Sequence, residues 1–367
     1  MSFGARALIR LGALEHNLKV IRKAAPDARV MAVLKANAYG HGMITCAHHL
    51  RDVDAIAVAR LPEAIRLRES GIDNPIVLLS GVLNADELRS ALWRGFELVV
   101  HCPEQLSLLE RATDGQTVIW LKIDTGMNRL GFDPADAQQL IARLRSMESV
   151  AELRLMTHLA SADEQDNSHT LEQLERFRSV AAGFAGAVSV GNTAGALGWT
   201  QLQDAQASFG YAGEHWIRPG IALFGISPFE GRNGPQLGLK PVMRFEARLI
   251  AVKPLKKGAL VGYKGAWQAP GDSVLGIISA GYGDGYSRHF QSGTPVLING
   301  RTVPLVGKVS MDMIAVDLGP DATDAVGDIA TLWGEGLLVE DVAPYADAIP
   351  YDLVCGVTHR EASEIVE

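Results

Sequence analysis

Cysteine is scarce in this chain: Cys46, Cys102 and Cys355 are the only three in 367 residues, and they stand far apart with no CxxC pair. That argues against a disulfide framework and leaves no thiolate set at zinc-ligand spacing. Basic residues are also short. With 34 lysines and arginines against 42 aspartates and glutamates the formal net charge is -8, and no basic stripe runs along the chain to track phosphates. Nucleic acid is not an expected partner. No stretch approaches the roughly 20 apolar residues that a bilayer-crossing helix needs. The opening Met1-Ser2-Phe3-Gly4-Ala5-Arg6 lacks the apolar segment of a signal peptide. No membrane association is expected, and the chain reads as a soluble, cytoplasmic protein. Low-complexity tracts and internal repeats are missing too, and neither a GxxxxGKS/T nor a well-placed GxGxxG phosphate loop occurs.

What is present is a 47% hydrophobic chain, long enough for a substantial core and too long for a single small domain, so two domains are expected. Short apolar, often β-branched runs at Val30–Leu34, Ala55–Ala59, Ile76–Leu79, Glu97–Val100, Val118–Ile123, Leu153–Leu159, Ala187–Gly191 and Trp216–Arg218 alternate with segments of helical period. Helix-like stretches include Leu61–Ser70, Ala85–Arg94, Glu104–Ala112, Pro134–Met147 and Leu171–Phe184, with Gly71, Gly95 and Gly115 just past three of the ends. Strand followed by helix, eight times over about 220 residues, is the pattern of a (β/α)8 TIM barrel. A doubly wound open sheet stays possible, because periodicity does not report closure. After Glu230-Gly231-Arg232-Asn233-Gly234-Pro235, the expected linker, the texture changes to closely spaced strands: Val242–Val252, Ser273–Ser279, Pro295–Ile298, Thr302–Val306, Met313–Asp317 and Ile329–Leu332. The expected division is a barrel over residues 11–230 and a mostly-β domain over 231–367.

The chemically capable residues collect at strand ends. Lys35 closes the first run, Lys122 and Asp124 the fifth, His158 the sixth, Asn192 and Thr193 the seventh, and Arg218 and Gly220 the eighth. In a barrel all of these fall at the C-terminal mouth, where such folds assemble their sites. Singly, each has a plain structural reading: Lys35 as a lysine snorkelling to solvent, His158 as a satisfied core histidine, Arg218 as a surface cation. Their joint placement argues for a site. The loops after strands seven and eight, Gly191-Asn192-Thr193-Ala194-Gly195 and Arg218-Pro219-Gly220-Ile221, offer backbone N–H groups, a hydroxyl and close glycine approach, which suit a phosphate. A phosphate beside a lysine able to form a Schiff base points to pyridoxal phosphate (PLP).

At this point the chain resembles the alanine racemase family of fold type III PLP enzymes. The resemblance is carried by Ala32-Val33-Leu34-Lys35-Ala36-Asn37-Ala38-Tyr39-Gly40-His41-Gly42, by Leu121-Lys122-Ile123-Asp124-Thr125-Gly126-Met127-Asn128-Arg129-Leu130-Gly131 and by Met156-Thr157-His158-Leu159-Ala160-Ser161-Ala162-Asp163. It continues through Arg218-Pro219-Gly220-Ile221, Val261-Gly262-Tyr263, Ala280-Gly281-Tyr282-Gly283-Asp284-Gly285, Ser310-Met311-Asp312 and Ile349-Pro350-Tyr351-Asp352.

That resemblance implies an opening strand around Arg6–Arg10 that joins the β-domain, and a homodimer whose sites lie between one subunit's barrel and the other's β-domain. It implies that Lys35 holds PLP and serves as base for the D-enantiomer, while Tyr263 of the partner subunit serves the L-enantiomer. Two bases, one on each face of the α-carbon, are what racemisation of alanine requires. Lowering a tyrosine by three pKa units takes about 4 kcal/mol, and the family's arrangement sets His158 and Arg218 behind it. Arg218 is further implied to face the pyridine nitrogen, and Arg129 the substrate carboxylate, with Lys122 beside it and carbamylated in many relatives. Phosphate contacts are implied for Tyr39, Asn192, Thr193, Gly220, Ile221 and Tyr351, and substrate contacts for Tyr282, Met311 and Asp312 of the partner. No metal site is expected; His41, His48 and His49 read as decoration of the helix after strand one, and Asp284 as a turn residue. The readings to be weighed are an alanine racemase, biosynthetic for cell wall or catabolic; a broader racemase that also takes serine, or a PLP decarboxylase; and a non-catalytic PLP-binding protein.

Overall fold

Strands covered on both faces have no use for polar alternation, and the first half of the chain is built from such strands. The structure, a computed structural model, describes residues 4–113, 115–165, 167–202, 204–358, 360 and 364–366. After a first strand, β1 (Arg6–Arg10), come β2 (Arg29–Val33), β3 (Ala55–Val58), β4 (Ile76–Leu78), β5 (Glu97–Val100), β6 (Thr117–Lys122), β7 (Val150–Met156), β8 (Val188–Asn192) and β9 (His215–Arg218). Each of β2 to β9 pairs in parallel with the next, and β2 pairs with β9 through Arg29 opposite Trp216 and Val30 opposite Ile217. The sheet is therefore closed, and the TIM barrel is the architecture rather than the open sheet.

The observed strands differ from the expected ones by up to three residues. The largest shift is in β7, which ends at Met156, so His158 lies in the loop beyond the strand. Leu159 is buried and apolar and prolongs the hydrophobic run past the point where pairing stops.

The floor of the barrel is sealed by a polar plug. Trp120 donates its Nε1 hydrogen to Glu97 Oε2 at 2.7 Å, Arg154 Nη1 approaches the same oxygen at 3.4 Å, and the guanidinium lies 5.1 Å from the Trp120 ring centroid and 5.2 Å from that of Trp216. Burial pushes the Glu97 carboxyl above the ordinary carboxylate range, and the Arg154 charge and the indole N–H pull against it.

The second half is organised on β10 (Met243–Leu255), a long strand that pairs with β1 on one side and, further along, with β13 and β17. The remaining strands are β11 (Leu260–Val261), β12 (Trp267–Gln268), β13 (Ser273–Ile278), β14 (Pro295–Ile298), β15 (Arg301–Pro304), β16 (Ile314–Asp317), β17 (Ile329–Trp333) and β18 (Glu364–Val366). β18 runs parallel to β1, and Glu246, buried in β10, holds both Arg6 and Arg244 at 2.8 Å. The β11–β12 ribbon and two short helices, Val339–Val342 and Pro350–Gly356, were not expected from the sequence. Elements this short carry too few residues to show a period.

The plug makes a stability prediction. Glu97→Ala leaves a buried guanidinium and an indole N–H without their shared acceptor and should cost about 3 kcal/mol, whereas Glu97→Gln keeps an acceptor and should cost less. Urea unfolding monitored by circular dichroism measures both; a loss for Glu97→Ala below about 1 kcal/mol would show that Glu152 alone satisfies Arg154.

Candidate active site

Lys35 follows β2 by two residues and begins a turn of opposite hand to an ordinary helix. Ala36, Asn37, Ala38 and Tyr39 have φ of 52°, 54°, 55° and 52°. For L-residues this conformation costs roughly 1–2 kcal/mol each, so surrounding bonds must hold it. Glu63 Oε1 accepts from Ala36 N at 2.8 Å, Asn37 Oδ1 accepts from Met43 N at 2.9 Å, and His41 Nδ1 contacts the carbonyls of Ala38 and Tyr39 at 3.0 and 2.8 Å. Gly40, at φ 82°, has no room for a side chain, because a Cβ would lie 2.0 Å from Val354 O. The right-handed helix expected after the first strand begins only at Met43 and ends at His49. His41 is not a decoration of it. Its ring is buried and stacked on Phe224 at 4.3 Å, and desolvation drops its pKa to about 4.

Lys35 lines a cavity of about 1380 Å³ at the barrel mouth together with Lys122, Arg129 and Arg218. Burial, and then the charge of Arg129, lower the Lys35 pKa from that of an ordinary lysine. Lys122 is pushed down to about 8 by burial and by Arg218, Arg129 and Lys35, with Asp124 opposing. Asp124 is occupied otherwise, its Oδ1 accepting from Gly126 N at 2.9 Å and Asn128 N at 3.1 Å to shape the loop that carries Arg129. Among the described residues none of these four cations is joined to a carboxylate by an ion pair; Asp124 and Glu63 act on them only at longer range.

Arg218 is buried and held by neutral acceptors. Nη1 donates to Ser189 Oγ at 2.5 Å; Nη2 donates to Thr157 O at 2.6 Å and lies 3.3 Å from both Val190 O and His158 Nδ1. A guanidinium can only donate, so His158 Nδ1 accepts and its ring proton sits on Nε2. Burial and the Arg218 charge drive the His158 pKa well below its usual value, which keeps the ring neutral. Sequence reasoning missed two supports of this arrangement. Ser189 points inward from the middle of β8, and buried Gln173 donates to His158 O at 3.1 Å and Thr125 Oγ1 at 3.3 Å while accepting from Ala160 N at 2.8 Å. A helical glutamine at a core-facing position was the one available signal for the second.

At the far side of the mouth Thr193 Oγ1 accepts from Gly220 N at 2.9 Å, which leaves the hydroxyl hydrogen to donate elsewhere. Gly220 N is thus engaged rather than open, and so is Gly195 N, which donates to Asn192 Oδ1 at 2.9 Å and makes Asn192 a helix cap. Thr193 and Ile221 each open a short helical turn, whose first N–H groups have no partner within the turn. A Cβ on Gly220 would come within 2.4 Å of Tyr39 Oη. Tyr39 and Tyr351, with ring centroids 6.1 Å apart, have pKa values raised chiefly by burial, so both phenols stay protonated donors.

The remaining expected residues are elsewhere. Tyr263, Tyr282, Met311 and Asp312 do not line the Lys35 cavity of their own chain. Tyr263 is 65% exposed in a turn after β11, Met311 is 53% exposed, and Asp312 is paired with Arg360. Unmatched cations, neutral phenol donors and a glycine where a ligand must come close fit a phosphate with a second anionic group near Lys35, and so fit PLP carrying an amino acid.

The family models for the alanine racemase N-terminal and C-terminal domains match residues 9–228 and 242–365. Relatives named alanine racemase include one from Vibrio cholerae, 47% identical over 97% of this chain and 96% of its own, and one from Pectobacterium carotovorum, 46% identical over 99% of both. Among solved structures, the biosynthetic alanine racemase from Pseudomonas aeruginosa superposes with a TM-score of 0.93 at 38% identity, and that from Acinetobacter baumannii with 0.89 at 33%, both chains covered in full in each case.

The cation cluster predicts how stability depends on pH. With a Lys122 pKa of about 8 in the fold against an ordinary 10.5, the unfolded chain binds more protons between those values. Stability should rise with pH through that window, and below it the buried ammonium costs on the order of 3 kcal/mol. Lys122→Met should therefore stabilise the cofactor-free protein at pH 7, with the advantage vanishing toward pH 10.5 in thermal melts. A variant no more stable at pH 7 would mean that Lys122 is not carried as a free ammonium.

Proposed function

Because the chain belongs to the alanine racemase family, we propose that Lys35 and Tyr263 of the partner subunit are the two bases of its reaction. The enzyme interconverts L-alanine and D-alanine and depends on PLP. When bound, PLP supplies an electron sink that makes the α-proton of the attached amino acid removable. Everything else is done by the chain. Lys35 would hold the cofactor and move the α-proton on the D-face; burial and the Arg129 charge lower its pKa, which favours the neutral amine that such a role needs. Tyr263 of the partner subunit moves the proton on the L-face, with the Nε2 hydrogen of neutral His158 donating to its oxygen and Arg218 fixing the imidazole.

Arg218, with a pKa lowered to about 10, stays protonated at neutral pH. Set against the pyridine nitrogen of bound PLP, it would leave that nitrogen unprotonated and supply a weaker sink, which would favour return of the α-proton over transamination. Tyr39, Tyr351 and Thr193, with the backbone N–H groups that open the turns at Thr193 and Ile221, would hold the phosphate, Asn192 and Gly220 shaping the two loops. Arg129 orients the substrate carboxylate, and Tyr282, Met311 and Asp312 of the partner border the substrate. Lys122, being substantially neutral near pH 8, can take up carbon dioxide as a carbamate, and that anion would offset Arg129.

The observation that carries this reading is the meeting of Lys35 with Lys122, Arg129 and Arg218 at one cavity, where no carboxylate among the described residues forms an ion pair with any of the four. The enzyme is read as a cytoplasmic homodimer supplying D-alanine for peptidoglycan or serving alanine catabolism. The matched C-terminal domain separates it from single-barrel PLP-binding proteins. One methylene or hydroxyl in a small pocket is worth only about 1–3 kcal/mol, so a racemase assay across L-amino acids, L-serine above all, is the direct test; equal turnover of serine would replace alanine specificity with a broader one.

The division between the bases can be read by isotope exchange. Tyr263→Ala in deuterated water should still exchange the α-proton of D-alanine, lose exchange from L-alanine, and fail to racemise in either direction. Equal loss from both enantiomers would make Tyr263 a positioning group. Retained exchange from L-alanine would transfer the role to another residue, His158 first.

A further inference from the structure

The turn Gly281-Tyr282-Gly283-Asp284-Gly285 is gripped from two sides. On one, Tyr282 N donates to Ser310 O at 3.0 Å and Gly283 N to Met311 O at 2.8 Å. The loop carrying Met311 and Asp312 is closed by Ser310, whose N–H and hydroxyl donate to Met313 O at 3.0 and 2.6 Å. On the other, the segment beyond helix Pro350–Gly356 contributes Thr358, which donates from N to Asp284 O at 3.1 Å and from Oγ1 to Gly283 O at 2.9 Å. The glycine spacing follows from this grip. A Cβ would lie 2.4 Å from Met311 O at Gly281, 2.9 Å from Arg360 Nη1 at Gly283, and 2.3 Å from Gly356 O at Gly285.

Arg360 joins the two loops. Its Nη1 donates to Asp312 Oδ1 at 2.7 Å and lies 3.5 Å from Asp284 Oδ1, while Asp284 Oδ2 accepts from Gly281 N at 2.9 Å. One permanently charged, planar donor therefore bridges two carboxylates that would otherwise face each other as like charges. We propose that Arg360 is a positioning residue for the active site of the partner subunit: it fixes, through Asp312 and Asp284, the two loops that present Tyr282 and Met311 to a substrate in the partner's barrel. The inference rests on the shared-site reading above. Arg360 itself touches neither substrate nor cofactor; it acts through the loops.

Arg360→Ala should leave the yellow absorbance of bound PLP, the melting temperature and the dimer intact, because the cofactor site of the same chain does not involve it. Its kcat/KM for alanine should fall roughly 10- to 100-fold, and Arg360→Lys, which keeps a cation but not the fork, should recover part of the loss. Heterodimers carrying two affinity tags locate the lesion. Paired with Lys35→Ala, an Arg360→Ala subunit gives one doubly damaged site and one intact site, so about half of wild-type activity should return. The control pair, Lys35→Ala with Tyr263→Phe, should behave the same way. Activity of the Arg360→Ala homodimer within about twofold of wild type, dissociation to monomers, or a loss that pairing fails to repair while the control pair recovers, would overturn the proposal. Failure of the control pair would overturn the shared site, and the proposal with it.

Discussion

The barrel mouth concentrates Lys35, Lys122, Arg129 and Arg218 around one cavity, none of them ion-paired with a carboxylate among the described residues, and the neighbouring residues are arranged to tolerate that charge. Arg218 is satisfied by two carbonyls and a serine hydroxyl, groups that solvate a guanidinium without neutralising it. His158 is kept uncharged by burial and then by the same field, and Tyr39 and Tyr351 keep their protons through burial. Asp163, Glu230, Glu340 and Asp341 line the same cavity, yet among the described residues none forms an ion pair with these cations; an acid joined to them would relieve the repulsion and also compete with an anionic ligand. The fold instead carries an electrostatic strain that, on the proposed reading, a phosphate and a carboxylate would relieve, converting part of its stability into affinity and orientation.

The same trade shows in the backbone beside Lys35. Four successive residues in the left-handed region persist because Glu63, Asn37 and His41 bond the turn from three directions and Gly40 packs against Val354. A right-handed helix started at Lys35 would need none of these supports. The left-handed turn instead buries the Tyr39 ring against Phe224 and sets its hydroxyl beside Gly220, on the cavity that Lys35 also lines. Strain next to a reacting group is sustained only where the surroundings over-determine it, and here a carboxylate, an amide and an imidazole do so.

What was legible in the sequence followed the reach of each physical signal. Strand runs and their count gave the barrel, because burial on both faces leaves an unmistakable apolar run, while closure itself waited for the β2–β9 pairing. The residues at strand ends were placed within a few positions, and the error at His158 arose because Leu159 prolongs the hydrophobic run beyond the last ladder bond. The handedness of the turn after Lys35 was not legible, since Ala-Asn-Ala-Tyr carries no glycine to announce positive φ and the bonds that enforce it come from distant Glu63 and from Asn37 and His41 acting locally. Gln173 and Arg360 were equally hidden, because each acts across a long sequence separation that periodicity does not register.

The placement of Tyr263 has a geometric consequence. On the proposed two-base reading, the base opposite Lys35 would have to come from across the cavity, because the inward positions of a closed barrel are already filled by packed side chains. The chain's own β-domain contributes Tyr351 to the same cavity as Lys35, yet leaves Tyr263, Tyr282 and Met311 outside it and substantially exposed. An exposed tyrosine on a turn whose Gly262 and Lys264 both adopt positive φ is an expensive feature to retain for its own chain's stability. Its cost is intelligible if a second copy covers it: association would then bury the aromatic surface, exclude water from the cation cluster and deliver the proposed second base in one event, so that catalysis and dimerisation would share a single source of free energy.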